Sequence, residues 1–257
     1  MKKIFAMAAV ALLACGGLTA QNTFKGIVKY SVESTGAVAI DLPAEVRVAE
    51  IKVSGNKMYT KSYIFTQGLE CFVNDMKQTT CVDYSGLIAY VTGNGCEFEN
   101  YTGNGKMLMV QEYKASDFDS LEIVDREPGH GYFEYVAGET KQIAGMTAKK
   151  LVSHSFDDEG KESTMEMWYT DEVGPKVNVL FGGIKGMPIE VTMKVGEDQA
   201  ITYTATEFVS GKVKDTDFIL PDGYSKLSDE EMEAFRTDLK EAREMGCLPS
   251  GGDDEEE

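Results

Sequence analysis

Basic residues are scarce in this chain of 257 residues, which has 25 lysines and arginines against 43 aspartates and glutamates and a net charge of −18. Such a surface repels the phosphates of nucleic acids and the anionic faces of membranes. We therefore exclude nucleic acid as a partner. Acidic residues accumulate toward the C-terminus, and we expect residues 248–257 to form an acidic, disordered tail.

Long apolar runs are absent after the N-terminus, so the sequence predicts no membrane-spanning helix. The first residues, MKKIFAMAAVALLACGGLTA, combine two lysines, a short apolar run and small residues. This pattern is typical of a secretory signal peptide over residues 1–20. We therefore expect an exported protein of the periplasm. Acylation of Cys15 within LLAC is the alternative, and it would make the chain an outer-membrane lipoprotein in contact with the membrane.

Histidine is also scarce, since His130 and His154 are the only two histidines in the sequence. Neither has a cysteine or carboxylate at metal spacing, and no G-x-S-x-G serine accompanies them. The GNGK stretch at 103–106 lacks the first glycine and the final hydroxyl residue of a phosphate-binding loop. The sequence therefore predicts no catalytic residue, no metal and no cofactor, and a protein that is not an enzyme.

Cysteine is present four times after the signal peptide, and no pair has the C-x-x-C spacing of a zinc site. An even number of cysteines in an exported chain favours disulfides. Cys71 and Cys81 flank a turn near Met76 symmetrically, which predicts a cross-strand disulfide between them. Cys96 would then pair with Cys247. Other connectivities of the four cysteines stay open.

Short β-branched and aromatic runs, separated by Gly, Asn, Asp and Ser, follow one another from Phe24 to Phe218. They predict roughly ten or more antiparallel strands joined by tight turns. We place such turns at Gly55-Asn56, at 75–77 and at Ser85-Gly86, and further hairpins about 158–160 and 196–198. No alternation of strands with helices interrupts the series, so residues 21–225 form one antiparallel β domain.

One helix is predicted at the end of the chain, over residues 226–247. Ser228 and Glu231 have the spacing of a capping box, and Gly246 provides a stop. Between them, apolar residues recur at helical spacing in a narrow stripe, which comprises Met232, Phe235, Leu239 and Ala242. The helix is therefore amphipathic and lies on the body of the domain.

The stretch KGMPIEVTMKV, residues 185–195, alternates strictly after its proline, so one strand face is apolar and the other polar. Two methionine pairs show the same two-residue spacing, and methionines adapt to varied apolar partners. We predict an apolar, ligand-binding face on the concave side of the sheet, with the polar residues of this strand on the wetted side. Its residues are Met107, Met109, Met165, Met167, Ile189, Val191 and Met193. An ordinary core of the same residues is the alternative.

Seven motifs, in a fixed order from about Phe24 to Tyr224, resemble an uncharacterised family of exported bacterial proteins, a domain of unknown function. They are FKGIVKYSV, KVSGNKMY, TKQIAGMTAKK, MEMWYTDEV, IKGMPIEV, YTATEFVSGKV and DFILPDGY. Met146 departs from the aromatic residue that follows IAG in the family. The family is grouped with the LolA-like lipoprotein carriers. The resemblance implies an open, strongly curved antiparallel half-barrel whose apolar concavity, partly closed by helical segments, takes up acyl chains in the carriers.

Two functions therefore remain open for this exported, non-enzymatic cell-envelope protein. It binds a lipid, an acyl chain or a lipidated partner in an apolar concavity. Alternatively, it is a structural or interaction protein of the periplasm or outer membrane with a filled core and no ligand. The two differ in cavity volume, because a ligand of this kind needs several hundred Å³, roughly 300 or more.

We predict that the mature chain begins at Gln21, because Leu18-Thr19-Ala20 precedes it and no polar tether follows Cys15. Mass spectrometry of the N-terminal peptide of the exported protein tests this. A peptide that begins with an acylated Cys15 would contradict the prediction and place the protein on a membrane.

Overall fold

The computed structural model describes residues 24–36, 47–64, 67–97, 104–118, 131–156, 160–194 and 199–247. The predicted signal peptide with Cys15, the acidic tail and His130 lie outside these residues, as do the predicted turn at 196–198 and the first two residues of the predicted turn at 158–160.

The described part of the chain contains twelve strands, two α-helices and three short 3-10 turns. The strands are β1 (Lys25–Gly36), β2 (Val48–Ser54), β3 (Lys57–Ile64), β4 (Gln67–Asn74), β5 (Lys77–Asp83), β6 (Lys106–Glu112), β7 (Gly131–Ile143), β8 (Met146–Phe156), β9 (Glu162–Thr170), β10 (Met187–Lys194), β11 (Gln199–Ser210) and β12 (Ser225–Lys226). The helices are α1 (Ser85–Gly93) and α2 (Asp229–Glu244).

All twelve strands belong to one open sheet in the order β12-β6-β5-β4-β3-β2-β1-β11-β10-β9-β8-β7. Every neighbouring pair is antiparallel except β12 and β6, which are parallel. The predicted fold class, a mainly β open antiparallel sheet with a C-terminal helix, is therefore confirmed. The predicted turns at Gly55-Asn56 and after Asn74 are also present, and Gly55 and Asp75 have positive φ.

The face of the sheet that carries Val28, Val53, Met58 and Val73 is buried, and we call it the inner face. Its core also includes Ala148 of β8. Six strands lie between β4 and β8 in the sheet order. A flat sheet would separate these two strands by about 34 Å, so the sheet must curl strongly to bring them to one core.

Residues 171–186, between β9 and β10, fill the space inside this curl, and we call them the plug. The turn Val179–Phe181 of the plug contacts β4 and β5. On the other side, a Cβ added to Gly182 would lie 3.4 Å from the ring of Phe133 on β7. A Cβ on Gly183, whose φ is +90°, would overlap the ring of Phe118. Glycine is therefore required at position 183, where the plug meets the ring of Phe118.

Buried hydrogen bonds fix the internal conformation of the plug and the start of β10. Asn178 is fully buried, and its side-chain Nδ2 donates to the Gly186 carbonyl at 2.8 Å. Its backbone N–H donates to Ile184 O, and its carbonyl accepts from Gly183 N–H, both at 2.8 Å. Tyr30 Oη reaches across the core and donates to the Pro188 carbonyl at 2.8 Å. These bonds satisfy backbone groups that burial would otherwise leave without partners.

Helices α1 and α2 cover the inner face at the β5–β6 end. Phe235 of α2 packs with buried Met107 of β6, and Ala242 packs with Val91 of α1. The capping box is present as predicted, since Ser228 Oγ accepts from Glu231 N–H at 3.2 Å. The helix spans Asp229–Glu244, inside the predicted range 226–247.

Helix α1 corrects the prediction of a turn at Ser85-Gly86 followed by a strand. The apolar residues Leu87, Ile88 and Ala89 are consecutive and carry no alternation. Asp83 accepts hydrogen bonds from Ser85 N–H, at 3.0 Å, and from the Ser85 hydroxyl, which lowers the pKa of this carboxyl group. A carboxylate next to the first helical turn stabilises a helix, which explains the difference.

The predicted disulfide between Cys71 and Cys81 is wrong, because both cysteines are free. In the β4–β5 ladder Cys71 lies opposite Thr80, and Cys81 lies opposite Glu70. The register is therefore offset by one residue, which directs the two thiols to opposite faces of the sheet. The other predicted pair is bonded: a disulfide joins Cys96, after α1, to Cys247, after α2, with the two Cα atoms 6.3 Å apart.

We expect the Cys96–Cys247 disulfide to contribute about 5 kcal/mol to the free energy of unfolding, because it closes a loop of 151 residues. Chemical denaturation of the oxidised protein and of Cys247→Ser measures this difference.

Thiol titration of the unreduced, unfolded mature protein should find two thiols, Cys71 and Cys81. Burial raises the pKa of Cys81 to about 11, so alkylation should be slow before unfolding. No free thiol after unfolding would contradict the assignment.

Asp238 of α2 is only 2% exposed, and neither of its carboxylate oxygens has a hydrogen-bond partner among the described residues. An unpaired buried polar group is destabilising, so Asp238→Ala should raise the free energy of unfolding by about 1–3 kcal/mol. Glu241→Ala, at an exposed position of the same helix, controls for helix propensity. Chemical denaturation measures both variants. A greater loss of stability in Asp238→Ala than in the control would contradict this expectation.

Candidate functional site

The seven residues of the predicted apolar face all lie on the inner face of the sheet. Val191 lies opposite Met167 and Tyr203, and Met193 lies opposite Ile201. At the other end, Met107 and Met109 lie opposite Val82 and Thr80. Glu190, Thr192 and Lys194 alternate with the apolar residues of β10 and point to the outer face.

The structure does not bring these seven residues together at one site. Ile189 is fully buried in the core beside the plug, Met167 packs with Leu151 and Ile184, and Met107 lies beneath Phe235. These three positions are therefore covered by the protein's own side chains. Met165, Val191 and Met193 are half-buried, and Met109 is 41% exposed. Their role in ligand binding stays a prediction.

His154 binds two carboxylates, but the arrangement joins strands. Its Nδ1 lies 2.6 Å from Glu162 and its Nε2 lies 3.3 Å from Glu134, on β9 and β7. The ring stacks on Tyr132 with centroids 4.3 Å apart. Both ring nitrogens are engaged by carboxylates, and the neighbouring hydroxyl of Ser155 donates to the Ser163 carbonyl. No nucleophile is therefore paired with this histidine in the described ranges.

No group of three or more His, Cys, Asp or Glu side chains within the described residues is placed to hold a metal ion. The described helices include none with the length and apolar character needed to cross a membrane.

Residues 211–224, which we call the strap, cross the outer face from β11 to β12. Gly211 N–H donates to the Lys25 carbonyl on β1 at 2.8 Å, and Asp217 lies 2.7 Å from Lys52 Nζ on β2. Beyond them, Lys106 of β6 lies over the ring of Tyr224, with Nζ 5.9 Å from the centroid. The six strands β1–β6 lie between β11 and β12 in the sheet order. The strap therefore passes over most of this half of the sheet.

A cleft of about 340 Å³ lies between the strap and the outer face of β3–β5. Phe72 provides an apolar floor, and its ring packs on Tyr59 with centroids 4.9 Å apart. The apolar side chains of the strap form the opposite wall. Ile219 is 66% exposed and Leu220 is 39% exposed, which is unusual for large apolar residues. The cleft is lined by Lys57, Phe72, Val73, Asn74, Lys77, Thr79, Asp215, Phe218, Ile219 and Leu220.

One end of the cleft is polar. Asn74 lies opposite Lys57 on one side and opposite Lys77 on the other, so these three side chains form a row across β3, β4 and β5. The two lysine Cα atoms are therefore about 10 Å apart. Lys77 pairs with exposed Glu112 at 3.1 Å, whereas Lys57 makes no ion pair with any described residue. Two ammonium groups thus stand at the end of an apolar cleft.

Ion pairs fasten the strap on the side of the cleft nearest β1. Lys25 Nζ lies 3.2 Å from Asp215, and Asp217 also accepts from Lys214 N–H at 2.6 Å. The hydrogen bond from Lys52 lowers the pKa of the Asp217 carboxyl group, so it is ionised at neutral pH. Ile219 and Leu220 therefore lie between the ion-paired residues Asp215 and Asp217 and the ring of Tyr224.

This cleft was not predicted from the sequence. The FIL run of DFILPDGY was available as a signal, because three consecutive apolar residues before a proline belong to no alternating strand. The lysines gave no such signal, since Lys57 and Lys77 are 20 residues apart and meet only through the register of β3–β5. That register depends on tertiary pairing.

No protein-family model matches the chain, and no curated protein matches it. Among solved structures, lipoprotein LppX of Mycobacterium tuberculosis is 12% identical, with 74% of this chain and 90% of LppX covered and a TM-score of 0.28. MucB in the MucA/MucB complex of Pseudomonas aeruginosa is 11% identical, with coverages of 79% and 57% and a TM-score of 0.38. A second MucB structure is 12% identical, with coverages of 79% and 58% and a TM-score of 0.31. Similarities of this degree carry no information on function.

Proposed function

We propose that the protein is an exported, non-enzymatic protein of the cell envelope that binds an amphiphile in the outer-face cleft. The ligand class is a lipid or acyl chain with an anionic head group. The observation that carries the proposal is the row of Lys57, Asn74 and Lys77 at the end of an apolar cleft of about 340 Å³. This volume falls within the range of small-molecule sites, roughly 300–1,000 Å³.

The two parts of the cleft match the two parts of such a ligand. An apolar chain between Phe72 and Leu220 would be removed from water, which stabilises by about 0.8 kcal/mol for each buried methylene group. An anionic head group would lie beside the lysines. The chain as a whole carries a net charge of −18 and repels anions at long range. A pair of cations is therefore needed where an anion is to be held.

The plug supports the second candidate function, a structural or interaction protein with a filled core. It occupies the space inside the curled sheet and leaves Met187 and Ile189 without exposed surface. In that case the inner face has only a structural role. A ligand on the inner face, at the predicted residues, would have to displace side chains of the plug or of α2.

Export of the protein is supported by the N-terminal sequence and by the Cys96–Cys247 disulfide, which fits an oxidising compartment such as the periplasm. A protein released at Gln21 would be free to move between membranes. Acylation of Cys15 would instead tether the cleft to one membrane.

We expect the mature protein to bind a fluorescent long-chain fatty acid, and Lys57→Glu to weaken this binding at least tenfold, about 1.4 kcal/mol. The cause is repulsion between the new carboxylate and the fatty-acid head group. Lys194→Glu makes the same charge change at an exposed position on the outer face of β10 and should leave binding unchanged. The matching fatty alcohol should bind more weakly than the acid to the wild type. Fluorescence titration measures the binding of the fatty acid to the wild type and to both variants, and the binding of the alcohol to the wild type.

Two further variants decide which face of the sheet binds the acyl chain of the ligand. Ile219→Asp should abolish binding, because it places a carboxylate in the apolar wall of the cleft. Met193→Asp should bind normally if it folds. Loss of binding in Met193→Asp alone would assign the ligand to the inner face, as the sequence predicted. A wild-type protein that binds neither probe, and carries no lipid in native mass spectrometry after purification from the periplasm, would favour the filled core.

A further inference from the structure

The edge of the sheet at β6 is only partly covered. On the side away from β5, β6 pairs with the two residues of β12, with Ser225 opposite Met107 and Lys226 opposite Leu108. The following residues, Met109–Glu112, pair with β5 on the other side. No described strand pairs with their open side. Alternate residues of a strand direct their N–H and C=O groups to opposite neighbours, so two of these four residues present unpaired backbone groups at the edge.

A cavity of about 130 Å³ lies beside this edge, between β6 and helix α2. Its wall is apolar except for Arg236 and the Tyr84 hydroxyl, and three of its side chains are methionines, which adapt to varied partners. A cavity of about 150 Å³ holds a benzene molecule, so this one has room for a single apolar side chain. It is lined by Tyr84, Met107, Met109, Met232, Phe235, Arg236 and Leu239.

The open edge and the cavity are joined at Met109. This residue belongs to the uncovered part of β6, points to the inner face where the cavity lies, and is 41% exposed. A strand added beside β6 would place alternate side chains on the inner face. The side chain next to Met109 would then enter the cavity, while the backbone of the added strand would satisfy the open edge.

The other edge of the sheet, β7, lacks this combination. Its ladder with β8 is interrupted between Tyr135 and Thr140. Glu134, Glu139 and Lys141 place charges along it. Interruptions and charges are the usual means by which edge strands avoid pairing with other chains. The two edges therefore differ in regularity and charge, and the apolar cavity lies beside β6.

The charge near the cavity indicates the character of the partner. Outside buried Asp238, helix α2 carries six acidic and three basic residues, and its first turn is Asp229, Glu230 and Glu231. The protein as a whole has a net charge of −18. A segment that carries lysine or arginine residues beside its apolar anchor would be attracted to this surface, and a second copy of this acidic chain would be repelled.

We infer that Met109–Glu112 of β6 and the adjoining cavity form a docking site for an extended segment of another exported protein. The segment has one apolar anchor residue flanked by basic residues. It adds as a strand to the edge of the sheet, and its anchor fills the cavity between Met109 and Met232. The site lies at the edge and on the inner face, so it is separate from the outer-face cleft proposed to hold an amphiphile.

A synthetic peptide with the sequence KKVTLTVKK tests the site, because its valine and leucine residues share one face of a strand. In NMR titrations of the mature protein, the peptide should shift the amide signals of residues 109–112 and of Met232. Met109→Glu should weaken binding at least tenfold. Met245→Glu, at a methionine 59% exposed beyond the end of α2, is the matched control and should bind normally. Both positions are exposed, so both variants should fold, as circular dichroism can verify.

Three outcomes would overturn the inference. They are the absence of shifts at residues 109–112 with millimolar peptide, equal binding by Met109→Glu, and equal binding by a peptide that is N-methylated at alternate residues and cannot form the ladder. Sedimentation of the wild type distinguishes a second copy: a dimer that Met109→Glu dissociates would make this edge a self-association site. Lys57→Glu should leave peptide binding unchanged, so failure of the amphiphile proposal does not affect this result.

Discussion

Burial of a large open sheet is the constraint on which the rest of this structure depends. Twelve strands that remain open expose two broad faces, and an apolar face left in water is unstable. The chain covers the inner face by curling the sheet around the plug and by laying α1 and α2 over the β5–β6 end. It covers part of the outer face with the strap. Every cavity described above lies where one of these covers meets the sheet.

The covers differ in how they are attached, and this difference decides where binding is feasible. The plug is packed into the core, and its fully buried Asn178 bonds to Gly186 at its end, so moving it would expose polar groups and core together. The strap is held by ion pairs near the surface, such as Lys25 with Asp215, which contribute little individually. Helix α2 is fixed at its far end by the Cys96–Cys247 disulfide. Ligand access is therefore easiest beneath the strap and beside the first turns of α2.

Much of the fold could be predicted from the sequence because its signals are local. Gly55-Asn56 specifies a turn, Ser228 with Glu231 specifies a helix start, and the alternation after Pro188 places Glu190 and Thr192 on the outer face. Errors arose where the answer depended on register or on distant contacts. A one-residue offset separates Cys71 from Cys81. The plug has no periodic pattern at all, and its apolar residues acquire a role only inside the curled sheet.

The candidate sites show the same division between local and tertiary information. The spacing of Met107 and Met109 predicts that they share one face, yet only tertiary packing buries Met107 beneath Phe235 and leaves Met109 41% exposed. Lys57 and Lys77 become neighbours only because β3, β4 and β5 pair in one register. Ten lysines of the described residues lie within ion-pair distance of a carboxylate. Lys57 has no such partner among the described residues and stands beside an apolar cleft, so its charge is available to a ligand.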